Sequence, residues 1–190
     1  MKPLVGKWIN ADEIGYRSYI CGYCGDKTGV NIGYYENNKE GYIYLCGGCN
    51  RPTFIERNYF QTPAPILGNP VSSLPQDIEE LYNQARGCTQ INAYTACVLV
   101  CRKILMHIAA IKGAPPNQNF IQYVDFLANM GYVPPDGKGW VDIIRKKGNE
   151  ANHEIVLMSK EDALELLSFV EMLLRFVFEF PARIMPAPVP

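Results

Sequence analysis

Two Cys-x2-Cys pairs, Cys21 with Cys24 and Cys46 with Cys49, are separated by 21 residues. No other feature limits the fold so strongly. Two intervening residues let one tight turn bring both thiolates of a pair to the same side of an ion, and four soft ligands suit a tetrahedral zinc. Gly22 lies within the first pair and Gly25 directly follows it, and Gly47 and Gly48 fill the second. Glycine permits the left-handed conformations that such turns use. A zinc held by Cys21, Cys24, Cys46 and Cys49 has no open position. It is therefore a structural ion, one that stabilises a module too small to hold itself. Two alternatives use the same residues. Paired disulfides would need an oxidising compartment, and an iron centre takes similar ligands.

The pattern resembles a zinc ribbon. VNIGYY and GYIYLC have the β-branched and aromatic content of strands, and the polar ENNKE before Gly41 reads as a turn. The two runs predict a hairpin whose ends carry the cysteine pairs. Tyr34, Tyr35, Tyr42 and Tyr44 either pack this small sheet or stack on bases. Three of the seven cysteines remain. Cys88, Cys97 and Cys101 read as buried small hydrophobes, because AYTACVLVCRKIL is apolar around the last two.

Composition changes along the chain. Residues 1–60 form the ribbon. Residues 61–75, QTPAPILGNPVSSLP, hold four prolines and read as a linker. Residues 76–180 are helical in pattern, and 181–190 form a proline-rich tail. Helices are expected over 76–86, 91–112, 117–129, 140–153 and 159–180, with Ser159 as the N-cap of the last and Glu161 and Asp162 in its first turn. Glu165, Ser168, Glu171, Arg175 and Glu179 make one narrow polar stripe on that helix. A stripe so narrow predicts a helix that is central in the bundle or shared with a second subunit. The expected class is mainly α, a bundle of about five helices preceded by a small β ribbon.

Glu165, Glu171, Arg175 and Glu179 interrupt the most apolar run, and the opening MKPLVGKWINADE lacks a secretory signal's apolar core. The expectation is a soluble, cytoplasmic protein that enters no membrane. A net charge of -1 gives no global attraction to nucleic acid, so such contact needs a local basic patch. The segment IIRKKGNEANH supplies one. On a helix, Arg145, Asn149 and His153 are successive i, i+4 positions beside Lys146 and Lys147. Arg grips phosphate bidentately and His exchanges protons near neutral pH. These residues are candidates for holding or attacking a phosphodiester. The other reading of Asn149 and His153 is internal hydrogen bonding within the bundle. His107, inside RKILMHIAAI, reads as structural.

LPQDIEELYNQA at 74–85, ACVLVCRKIL at 96–105, FLANMGYV at 126–133, RKKGNEANH at 145–153 and a last helix opening SKEDALELL carry a further resemblance. Over residues 74–180 the chain resembles a bacterial domain-of-unknown-function family of restriction and defence proteins, with the signature R-x-x-GN-x-x-x-H and often an N-terminal Cys-x-x-Cys ribbon. That family is similar to the HEPN superfamily. The resemblance implies an all-α HEPN-like bundle, a homodimer through helices, and a site at Arg145, Asn149 and His153. Active HEPN proteins are metal-independent ribonucleases, and they place the Arg closer to the His than Arg145 is to His153. Two functions follow from these readings. One is a dimeric binding and assembly module that works with RNA, DNA or a protein partner in a defence-type system. The other is a metal-independent endoribonuclease using Arg145 and His153.

Overall fold

A computed structural model describes residues 2–133 and 157–184. The chain divides into two compact units, one of Met1–Ile66 with Gln90–Asn92 and one of Leu67–Thr89 with Ala93–Pro190.

The first unit is a five-stranded antiparallel meander, β1 Asp12–Ile20, β2 Lys27–Tyr35, β3 Gly41–Leu45, β4 Pro52–Glu56 and β5 Gln61–Thr62, in that spatial order. This corrects the expectation of a mainly α, HEPN-like bundle: the described residues include a complete five-stranded sheet as well as helices. The anticipated hairpin is β2–β3, with Tyr34 opposite Ile43 and Tyr35 opposite Tyr42. The other strands escaped notice for physical reasons. In β1 the register slips between Glu13 and Arg17, which face Ile32 and Val30. Two extra residues sit there, and this bulge breaks the period-2 alternation that marks a strand. β4 begins on Pro52, a residue that argues against a strand. β5 is two residues long.

The core of this unit is thin. It consists of Ile14, Tyr19, Tyr44 and Ile55 together with Cys21, Cys46 and Cys49. Tyr44 Oη donates to Gly15 O at 3.1 Å, which satisfies a carbonyl at the bulge.

The second unit contains α1 Gln76–Gln90, α2 Tyr94–Ile111, α3 Phe120–Asn129, α4 Lys160–Leu174, a π-helical turn Arg175–Glu179 and α5 Phe180–Ile184. The expected helix over 140–153 lies outside the described residues. Local chemistry sets the ends. Asn119 and Ser159 each form a capping box, with Gln122 and Asp162 respectively. Past the ends of α2 and α3, Gly113 and Gly131 take φ of 92° and 79°. α2 is long and apolar enough to cross a membrane, with mean hydropathy 1.6. Cys97, Val98, Cys101, Ile104, Leu105 and Ile108 along it are fully buried in the helical core, and packing of that kind accounts for its composition.

The polar stripe on the last helix has a structural role. Glu171 accepts from Asn69 N at 2.8 Å and from Arg175 Nη2 at 2.9 Å. Glu179, 2% exposed, pairs with Arg175 at 2.8 Å and also with Arg183, and it accepts from Ser72 N at 3.2 Å. The stripe thus supplies acceptors for backbone N–H groups of the proline-rich segment, which cannot satisfy them in regular structure.

Candidate metal centre

The structure brings Cys21, Cys24, Cys46 and Cys49 together, with all four sulfurs within 4.8 Å of one another. Each pair sits at the end of a strand of the β2–β3 hairpin region, Cys21 and Cys24 just before β2 and Cys46 and Cys49 just after β3. Cys21 Sγ lies 3.6 Å from Cys49 Sγ, and Cys24 Sγ lies 3.7 Å from Cys46 Sγ. Thiolates at the usual distance from a tetrahedral zinc stand about 3.8 Å apart. The distances fit that geometry and are far too long for disulfides.

The two turns have the same backbone plan. Cys21 O accepts from Gly25 N at 2.9 Å, and Cys21 N donates to Asp26 O at 3.0 Å. Cys46 O accepts from Asn50 N at 2.8 Å, and Cys46 N donates to Arg51 O at 3.0 Å. Only one position in each turn needs the left-handed region, namely Gly25 at φ 79° and Asn50 at φ 56°. Asparagine tolerates that region better than other side chains do. Gly22 serves a different purpose. A Cβ there would lie 2.4 Å from Pro63 O and 2.6 Å from Ala64 O, so glycine allows a close backbone approach.

Burial pushes the Cys21 and Cys24 thiols up. It acts the same way on Cys46, but the N–H groups of Cys49 and Gly48 and the thiols of Cys21 and Cys24 outweigh it, and that thiol is lowered. Four thiolates cannot share this buried space without a cation to offset their repulsion. The donor set is that of a structural ion with no free position for chemistry.

Sequence reasoning missed how the second turn is used. Asn50 Nδ2 donates to Leu4 O at 3.1 Å and Gly6 O at 2.7 Å, and Asn50 O accepts from Trp8 Nε1 at 2.9 Å. Leu4 N donates to Cys49 O at 3.0 Å, and Arg51 Nη1 donates to Lys2 O at 3.0 Å. The first residues are therefore strapped across the second cysteine turn. The available signal was an Asn directly after Cys49, at the place a glycine holds after Cys24.

The other candidates fall as follows. Arg145, Lys146, Lys147, Asn149 and His153 lie outside the described residues. Tyr42 and Tyr44 stack at 6.0 Å, and Tyr34 donates to Ile9 O at 2.6 Å, while Tyr35 remains exposed. Cys97 and Cys101 are fully buried in the helical core, and Cys88 is half-buried beside it. His107 Nε2 lies 3.0 Å from Asp77 Oδ2 and ties α2 to α1.

Residues 83–185 match a family described as Domain of unknown function (DUF4145). No curated protein and no solved structure matches the chain.

Proposed function

The chain belongs to the DUF4145 family, and from that premise we propose that it is a binding and assembly module whose sheet unit is held by zinc and contacts nucleic acid. The carrying observation is the closed set of four cysteine sulfurs, at 3.6 and 3.7 Å within facing pairs. Such a set supplies rigidity to a unit with few aliphatic core residues, and it leaves the outer surface free to make contacts. Zinc is the ion this donor set prefers in a reducing compartment.

Dimerisation is part of the reading. Phe176, Phe180 and Ile184 are spaced four apart, and they are 47%, 37% and 80% exposed. An apolar stripe of that kind suits a second copy packed helix to helix.

The test is titration of the purified, zinc-loaded chain against labelled single-stranded RNA and DNA, with metal content measured on the same sample. Bound zinc together with salt-sensitive binding supports the reading. A zinc-loaded, folded protein that binds neither strand contradicts it.

A further inference from the structure

The sheet unit carries a cleft of about 520 Å³ beside β1 and the β4–β5 turn, lined by Tyr16, Arg17, Ile20, Tyr59, Gln61 and Pro65 among others. Among the described residues no carboxylate lines it. A cleft of similar size in the same unit is lined by Glu36, Glu40 and Glu56, which would repel a phosphate.

Two features of the first cleft bear on what it could hold. The first is Tyr59. It closes the β4–β5 turn, with its N–H on Glu56 O at 2.9 Å, and it takes φ of 71°. Glycine is the residue such a position favours, and a bulky side chain there is strained. The strained ring is nevertheless 77% exposed and so contributes little to the core. The second is Arg17. Its guanidinium lies 4.5 Å from the centre of the Tyr59 ring and 5.9 Å from that of Tyr44. Arg17 Nη1 is buried and has no acceptor among the described residues. A buried guanidinium nitrogen left unbonded is costly, and an anion held against the same guanidinium from the cleft side would offset part of that cost. The β1 bulge immediately precedes Arg17, and bulges commonly re-aim side chains beside binding sites.

We propose that this cleft is the nucleic-acid site of the sheet unit, with a base of a single strand stacked on Tyr59 and a phosphate paired with Arg17. The inference rests on the nucleic-acid reading given above and adds the place and the strandedness. A flat ring and an anion joined by a short backbone match an aromatic face next to a guanidinium. Duplex DNA hides its base faces and does not.

The test uses the full, zinc-loaded chain and short fluorescein-labelled single strands of RNA and DNA of one sequence, read by anisotropy. Tyr59→Gly places the favoured residue at the strained position, so the variant is expected to remain as stable as the parent. Its binding is expected to weaken about tenfold, the loss of one base–aromatic stack. Arg17→Gln is expected to lower the slope of log affinity against log salt by about 0.7, the share of one phosphate contact on a single strand. RNA and DNA bound alike would indicate recognition of base and phosphate, and a preference for RNA would add a contact to the sugar hydroxyl. Wild type that binds, with both variants matching it in affinity and salt slope, overturns this site and leaves the nucleic-acid reading standing. Wild type that binds neither strand overturns both.

Discussion

Gly25 and Asn50 hold the same place in two matching turns. Each donates its N–H to the carbonyl of the first cysteine of its pair, at 2.9 and 2.8 Å, from the left-handed region. They differ in what they add. Gly25 supplies only its backbone, whereas Asn50 also binds Leu4 and Gly6 through its side chain. Replacing Gly25 by Ala is expected to cost about 1–2 kcal/mol of stability in the zinc-loaded protein. Asn50→Gly keeps the turn and loses only the side-chain bonds to Leu4 and Gly6, so it should be milder than Asn50→Ala, which loses those bonds and strains the turn. Denaturant unfolding of the three variants checks the order.

Gly22 and Gly48 separate close approach from conformation. A Cβ at Gly22 meets two backbone oxygens inside 3 Å, while at Gly48 the nearest atom is Asp26 Oδ2 at 3.4 Å. Gly22→Ala is therefore expected to weaken zinc retention sharply under a competing chelator, and Gly48→Ala to behave nearly as wild type.

Glu171 makes the helical unit acid-sensitive. Burial raises its pKa, but the Asn69 N–H and the Arg175 guanidinium more than offset that, and the carboxyl sits below the usual glutamate value. A folded-state pKa below the unfolded one stabilises the fold above the unfolded value, near 4.3, and that stabilisation disappears as pH falls toward the folded value. Glu171→Gln is expected to cost about 1–3 kcal/mol at neutral pH. It should also flatten the loss of stability below about pH 4, a change that unfolding curves across pH would show.

Phe176 and Phe180 meet edge to face at 5.3 Å on an exposed helical surface. If that surface joins two copies, Phe176→Glu should convert a dimer to a folded monomer. Light scattering after size exclusion reads the mass directly, and an unchanged mass would remove this stripe from the interface.

The metal centre was legible because its determinants are local. Spacing within each pair fixes a turn, and the hairpin between the pairs announces itself by composition. Helix ends were readable for the same reason, as at the Ser159 cap and at the ends of α2 and α3, expected at 112 and 129 and found at Ile111 and Asn129. The sheet as a whole was not. β1 hides behind its bulge, β4 starts on Pro52, and both form because β2 and β3 offer edges to pair with. The cleft was invisible too. Arg17 and Tyr59 are far apart in sequence, and neither stands in a motif. Gly22 was assigned the freedom that Gly25 and Asn50 use, because close approach depends on Pro63 and Ala64, which are distant in sequence.

Metal content tests the central claim most directly. The purified chain, and a Cys46→Ser variant prepared beside it, would be assayed for zinc per chain and then followed by circular dichroism during chelation. The account predicts a single zinc in the wild type, little or none in the variant, and loss of the sheet signal on chelation while the helical signal persists. A wild type that holds no metal, or that keeps its sheet unchanged once stripped of it, would contradict the account.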